Sequence, residues 1–233
     1  MYLFYTTKIE GNWAILEEGE ARHCSQVLRK KPGEEIHFVD GAGGKYSATL
    51  VEVGKKTCRL SIEDKQMDLG DTSASLHLAV APTKNIDRFE WFLEKATEIG
   101  IDRITPLLCQ RSERKSLRND RLERVMVAAM KQSLKARLPT LAPLMPFDTF
   151  LATQKEGQRL IAHCVDDDKK LLKDTYSIGK DVCILIGPEG DFSEEEIQGA
   201  LRTGFVPVSL GNARLRTETA AIVACHSIAL LNQ

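Results

Sequence analysis

No stretch of this 233-residue chain approaches the roughly 18 consecutive apolar residues that a membrane-crossing helix requires. The opening Met1-Tyr2-Leu3-Phe4-Tyr5 has neither the basic residues nor the long apolar core of a secretory leader, and reads as a first strand. Cys24, Cys58, Cys109, Cys164, Cys183 and Cys225 are scattered with no Cys-x-x-Cys pair. That spacing argues against zinc or any other metal and fits reduced core thiols of a cytosolic chain. No GxxxxGK[ST] is present, which excludes a P-loop nucleotidase. No GxGxxG follows a strand, so neither a dinucleotide fold nor the glycine loop of the usual Rossmann methyltransferases is supported. The overall charge is only −1: 32 Lys and Arg stand against 33 Asp and Glu, and the chain as a whole is not a polycation. Internal repeats and low-complexity tracts are absent as well.

What the chain has is local. Residues 111–137 hold nine Lys or Arg against three Asp or Glu, a patch sufficient to meet RNA without a basic whole. Within it the sequence predicts a helix over 119–138, stopped at Pro139. Leu122, Val125, Met126, Ala129, Met130 and Ser133 fall on one face, while Arg121, Arg124, Lys131 and Lys135 fall within an arc of roughly 80° on the other. That arc is either a solvated face or an RNA-facing stripe, extended upstream by Arg111, Arg114, Lys115 and Arg118.

Two kinds of patterning divide the chain. Up to about residue 65 short alternating runs are separated by turns such as Lys31-Pro32-Gly33 and Asp40-Gly41-Ala42-Gly43-Gly44, which suggests a small β-barrel over 1–70. The polar segment 63–73 reads as a linker. From 74 to 233 strands alternate with helices, the sign of an α/β domain with a mostly parallel sheet covered on both faces. Strands are expected at 76–80, 104–108, 159–163, 182–186 and 205–210, the last an edge or irregular strand because of Pro207. Helices are expected at 87–99, from Ser193 (with Glu196 three residues on, a capping-box pattern) and at 217–231. The last helix is apolar nearly all round, so it is either central core or a subunit interface.

Two turns stand out. Ile186-Gly187-Pro188-Glu189-Gly190-Asp191-Phe192-Ser193 follows one strand, and Leu210-Gly211-Asn212-Ala213-Arg214-Leu215-Arg216-Thr217-Glu218-Thr219-Ala220 follows another. Gly-rich turns between strand and helix are where open α/β sheets place ligands, and two so close in sequence suggest one shared pocket.

The pair resembles the SPOUT methyltransferases, whose C-terminal chain forms a trefoil knot that binds S-adenosylmethionine. More closely, it resembles the RsmE family of 16S rRNA (uracil-N3)-methyltransferases. The resemblance also draws on His23…Val27-Leu28-Arg29, on Lys84…Asp87-Arg88-Phe89-Glu90 with Leu93-Glu94-Lys95-Ala96-Thr97-Glu98-Ile99-Gly100, on Arg111-Ser112 and on Gln132-Ser133, and so covers nearly the whole chain. Three positions depart from that pattern. Asp191 stands where the family has glycine, Ala213 where it has arginine (with Arg214 next to it), and Lys131 where it has glutamate.

The resemblance implies a PUA-like RNA-binding barrel followed by a SPOUT domain. It implies methylation of N3 of a uridine in 16S rRNA of the small ribosomal subunit, by a homodimer with its active site at the interface. S-adenosylmethionine carries no phosphate, so tight backbone turns can read its adenine and ribose. Ile186, Gly187, Pro188, Glu189, Gly190, Leu210, Gly211, Leu215, Arg216, Thr217, Thr219 and Ala220 are the residues expected to hold it. The enzyme must weaken the N3 proton and stabilise charge on O2 and O4. Arg216 is the expected cationic donor, Glu218 the candidate base or positioning group, and Lys84 a group at the pocket mouth. His23 and Arg29, with Arg111, Arg114, Arg121, Arg124, Lys131 and Lys135, are expected to contact RNA. Two other readings stay open: a SPOUT enzyme acting on a ribose 2′-hydroxyl or on tRNA, and an RNA-binding assembly factor without catalysis.

Overall fold

The computed structural model describes residues 2–70, 74–155, 157–165 and 168–233. They fall into two compact units, one within Met1–Asp71 and Val127–Leu138, the other within Thr72–Met126 and Pro139–Gln233.

The first unit contains β1 (Leu3–Tyr5), β2 (Ile9–Glu10), β3 (Trp13–Glu17), α1 (Glu18–Arg22), a π-helical turn at His23–Val27, β4 (Glu35–Val39), β5 (Lys45–Val53) and β6 (Thr57–Gln66). Its strands form one sheet in the order β1-β4-β5-β6-β3-β2, antiparallel except for β1 against β4. Alternate residues from the strands meet in a single cluster: Phe4, Ala14, Leu16, Ile36, Phe38, Ala48, Leu50 and Leu60, with Ala21 and Cys24 from the helical turns. Side chains on one face of a flat sheet do not converge in this way, so the sheet is curled around them. The curl stops short of a closed barrel, since β1 and β2 remain the two edges of the strand order. β6 runs to Gln66, so 63–66 is strand where the sequence predicts linker. The remainder of that expected linker reaches 71–73, outside the described residues.

Residues 127–138 belong to this unit. Met130 and Ala136 pack with Leu3 and Val39, the Gly43 amide donates to the Ala136 carbonyl (3.1 Å), and the Leu138 amide to that of Gly41 (2.9 Å).

The second unit has β7 (Leu76–Val80), α2 (Ile86–Ile99), β8 (Arg103–Leu108), the start of α3 (Asn119–Gln132), β9 (Thr140–Leu141), β10 (Met145–Pro146), α4 (Phe147–Thr153), β11 (Gln158–Ala162), β12 (Lys170–Leu171), α5 (Leu172–Thr175), β13 (Val182–Ile186), α6 (Glu194–Arg202), β14 (Val206–Ser209) and α7 (Thr217–Leu231). All eight strands pair in parallel in the order β10-β8-β7-β13-β11-β14-β12, with β9 also on β8. One face carries Ala79, Leu107, Ile161, Cys183 and Leu185 against Phe147, Phe150, Leu151, Ile197 and Ala200 of α4 and α6. The alternate residues Leu78, Val80, Ile184 and Ile186 are buried on the other face, where α7 packs on β7, β13 and α2.

α3 ends at Gln132 rather than 138. Leu134 takes φ +58°, a left-handed turn that a β-carbon tolerates poorly but that closes the helix, with the Lys135 amide reaching back to the Met130 carbonyl (3.0 Å). β14 is not an edge strand, because β12 lies outside it. β12 pairs only with Val208 and Ser209, so nothing asks Pro207 for an amide on that side.

The order of strands has a further implication. The chain leaves β11 at the C-terminal edge of the sheet and steps past β14 to β12, whose Lys170 pairs with Val208 at that same edge. It later leaves β14 and steps back past β11 to reach α7, where the Thr217 hydroxyl donates to the Gly187 carbonyl next to β13 (3.1 Å). These two connections cross on one edge of one sheet, an arrangement unknotted folds avoid.

Candidate functional site

The loop after β13 is fixed from several sides. Ser193 and Glu196 form the expected capping box, the Ser193 amide donating to Glu196 Oε2 (2.8 Å) and the Glu196 amide to Ser193 Oγ (3.2 Å). The other oxygen of buried Glu196 accepts from the Gln110 amide beyond β8 (2.7 Å). Glu189 Oε1 accepts from the Lys84 amide beyond β7 (2.8 Å). Arg111 Nη1 donates to the carbonyls of Gly190 (2.8 Å) and Phe192 (3.2 Å). Inside the turn, the Asp191 amide closes on the Pro188 carbonyl (2.9 Å). Gly187 has no room for a side chain, since a β-carbon there would lie 3.1 Å from the Phe192 amide nitrogen. Ile186, Gly187, Pro188, Glu189 and Gly190 thus come together as a tethered turn at the C-terminal end of a central strand.

The second turn encloses a cavity of about 550 Å³, lined on one side by Ser209, Leu210, Gly211, Asn212, Ala213, Arg214 and Leu215, with Ala220 at its floor. The opposite wall is Ala162, His163, Cys164, Val165 and Lys169, from the connection after β11. Lys169 Nζ stitches that wall by donating to the carbonyls of His163 (2.9 Å) and Val165. The two crossing connections are therefore the two walls of the cavity. Its size lies within the range of small-molecule sites. The sequence names Leu210, Gly211, Leu215 and Ala220 for this site and misses the wall formed by Ala162 to Val165 and Lys169. The signal was the position of His163 and Cys164 just past the end of a parallel strand, where ligand-binding connections sit.

A second cavity of about 350 Å³ is lined by Asp87, Arg88 and Trp91 of α2 and by Arg216, Glu218 and Thr219. Arg216, in extended conformation, immediately precedes α7 and contributes to the lining. Glu218 is 7% exposed, with Arg88 Nε 3.8 Å from Oε1 and, among the described residues, no hydrogen-bond partner at Oε2. A buried carboxylate with one oxygen unserved is costly and calls for a donor. The start of α7 thus faces both cavities, Leu215 and Ala220 toward the first, Arg216, Glu218 and Thr219 toward the second.

Other expected site residues lie elsewhere. Lys84 lines neither cavity; its ammonium pairs with Glu113 (2.7 Å), which holds its pKa above the usual lysine value, and its side chain is 72% exposed. Arg111 serves the Gly190 turn, and Arg114 donates to the carbonyls of Thr83 (3.1 Å) and Lys84 (2.5 Å). Arg121 pairs with Glu90 (2.6 Å) and Arg124 with Asp120 (2.8 Å). In the first unit Lys131 pairs with Glu20 (2.5 Å) and lies over the Tyr2 ring, whose plane also stacks on His23 with centroids 4.5 Å apart. Arg29 is exposed at φ +54°, and Lys135 is half-buried. Among the described residues no group of three or more His, Cys, Asp or Glu could hold a metal, and no helix is long and apolar enough to cross a membrane.

Residues 71–229 match the family model of an RNA methyltransferase domain, and residues 16–63 that of an RNA methyltransferase PUA domain. The fold is similar to that of a probable rRNA-methyltransferase from Porphyromonas gingivalis (TM-score 0.92, 40% identity, all of this chain and 98% of that one). It is also similar to a ribosomal RNA small subunit methyltransferase E from Neisseria gonorrhoeae bound to S-adenosyl methionine (TM-score 0.88, 26% identity, 100% and 98%). The ribosomal RNA small subunit methyltransferase E of Aquifex aeolicus is 29% identical over 237 residues, covering 95% of this chain and 96% of that one.

Proposed function

This chain belongs to the RNA methyltransferase family, with that family's PUA domain ahead of the methyltransferase domain, and from that premise we propose that it methylates N3 of a uridine in 16S rRNA of the small ribosomal subunit, using S-adenosylmethionine. The names of its relatives support the rRNA, and the bound ligand of the Neisseria structure supports the cofactor. The single observation that carries the reading is the placement of two cavities on either side of the start of α7, one for a methyl donor and one for its acceptor.

The first cavity suits a phosphate-free ligand. Of the two cations in its lining, Lys169 is already bonded to the carbonyls of His163 and Val165, which leaves Arg214, and Gly211 sits at φ +119° where a side chain would be strained. Leu210, Gly211, Leu215 and Ala220 would hold it, with Gly187 and Thr217 bracing the turn beneath. When bound, S-adenosylmethionine supplies a methyl group already activated by a sulfonium.

The second cavity suits uracil. The Watson–Crick edge of that base reads acceptor, donor, acceptor: O2, N3–H, O4. Arg216 and Arg88 are donors and Glu218 an acceptor. Glu218 takes or weakens the N3 proton, and the guanidiniums stabilise the negative charge that spreads onto O2 and O4. A base presented by this edge must be unpaired. Lys84, paired and at the surface, is assigned the rim of the site.

The crossing connections support a trefoil knot of the SPOUT kind. The outward side of α7, with half-exposed Ile222 and Val223 and exposed Leu230, supports a homodimer. Action on the ribosome places the protein in the cytoplasm. His23, Arg29 and the cations of 111–135 remain the proposed RNA contacts.

The test is nucleoside mass spectrometry of 16S rRNA after incubating unmodified small subunits with the protein and S-adenosylmethionine. Appearance of 3-methyluridine is expected, with Arg216→Ala lowering kcat by roughly 10²-fold. A ribose-methylated nucleoside instead would move the chain to the 2′-hydroxyl class. No methylation at all would leave an RNA-binding assembly factor.

A further inference from the structure

Asp191 stands at the end of the tethered turn with φ +62°, a conformation natural to glycine and uncommon for any other residue. Aspartate is among the few side chains that tolerate it, and here the carboxylate has a partner. Asp191 Oδ2 accepts the amide of Cys164, 27 residues away, at 2.8 Å. Cys164 is exposed and forms part of the wall of the larger cavity contributed by the connection after β11.

The turn after β13 is thus tied to the connection after each of three other strands. Glu189 holds the Lys84 amide beyond β7, Arg111 reaches in from beyond β8, and Asp191 holds the Cys164 amide beyond β11. The first two ties leave the cavity wall untouched. The third acts on it at Cys164, beside the bonds that Lys169 makes within the wall. A charge-assisted bond from carboxylate to backbone amide is stronger than one between neutral groups. Glycine at 191 would relieve the backbone and abandon that bond.

We propose that Asp191 is a positioning residue for the cofactor cavity: it fixes the wall at Cys164 and so pre-organises the site for its ligand. This rests on the cofactor reading given above. A pre-organised wall lowers the ordering cost of binding. Asp191 touches no reacting atom, so it acts on affinity and not on the methyl-transfer step.

Three variants of the full chain separate the tie from backbone strain. Asp191→Asn keeps an acceptor oxygen and tolerates the same φ. Asp191→Gly removes the acceptor and the strain together. Asp191→Ala removes the acceptor and keeps the strain. Titration calorimetry with S-adenosylmethionine is expected to show Kd raised roughly five-fold in Asp191→Gly, with its melting temperature unchanged or higher, and Asp191→Asn within two-fold of the parent. KM for the cofactor follows Kd, while kcat stays within two-fold. Asp191→Ala loses affinity and thermal stability both. Hydrogen exchange supplies a readout that needs no cofactor: the Cys164 amide is protected in the parent and in Asp191→Asn and exchanges faster in Asp191→Gly. Parental cofactor affinity in Asp191→Gly overturns the proposal, as does an Asp191→Asn protein as weak as Asp191→Gly. If the parent binds no S-adenosylmethionine, the cofactor reading fails by itself, and the exchange result still decides whether the tie orders the wall.

Discussion

His77 is a buried side chain with a consequence for acid stability. It lies on β7, 6% exposed, with Nε2 2.8 Å from the Thr105 hydroxyl and its ring edge-on to Phe150. Burial, and then the Arg103 guanidinium, push its pKa from 6.5 down to about 4. The folded chain therefore refuses a proton that the unfolded chain accepts between those two values. Stability is full above about pH 6.5 and falls as the pH drops toward 4, by about 3 kcal/mol for this shift. Denaturant melts at pH 7, 5.5 and 4.5 should show that fall, and His77→Gln should flatten it; an equal slope in the variant would assign acid sensitivity to other groups. At this scale the sequence is uneven as a guide. The Ser193–Glu196 box is legible from spacing alone, because both hydrogen bonds are local. The unserved oxygen of Glu218 and the reach of Asp191 to Cys164 are not, because each depends on a partner, or the lack of one, set by strands far away in the chain.

Among the elements, α7 illustrates both success and limit. Its bounds are read correctly from the sequence, since the LRTET turn and the loss of pattern at the end punctuate it. Its apolar circumference leaves core and interface open. The structure buries Ala221, Ala224, Cys225 and Ile228 in the second unit and leaves Ile222 and Val223 half-exposed and Leu230 56% exposed. For the homodimer proposed above, the parent chain is expected to be dimeric by light scattering and Leu230→Glu monomeric, with the dimer dissociation constant raised at least ~10-fold and the secondary structure intact. A variant that stays dimeric would locate the interface on another face. α3 is the converse case. Its periodicity carries past residue 132, yet the helix stops there, because 133–138 is used to join Gly41 and Gly43 of the curled sheet. No local pattern announces that pairing. The arginine arc on α3 is real as geometry, but Arg121 and Arg124 meet carboxylates of the chain itself.

For the molecule as a whole, that pairing changes the electrostatics of RNA binding. The net charge is −1, so attraction depends on the local excess at 111–137. Of the nine cations there, Arg118, Arg121, Arg124 and Lys131 are paired with carboxylates of the protein. A cation that is already neutralised displaces fewer counterions when it meets a phosphate. Binding to small subunits, followed across salt concentrations, should therefore show a log–log slope of about half that of nine full contacts at 0.7–0.9 each. A slope matching all nine would mean that these pairs break and re-form on RNA. The division into a β unit and an α/β unit was legible because strand periodicity gives way to alternation. The assignment of 127–138 to the first unit was not, since it interrupts the second in sequence.

The crossing of the connections after β11 and β14 carries a kinetic consequence. A sheet built by zipping neighbours in chain order never needs one connection to pass another. Here β13 must insert between β7 and β11, and the segment before α7 must then travel back across the connection that already left β11. Besides nearby β13 and α5, α7 packs on β7 and α2, more than a hundred residues upstream, so its docking needs contacts of very long sequence separation. The site at the start of that helix therefore forms only once the crossing has been made, which makes its completion a late step of folding.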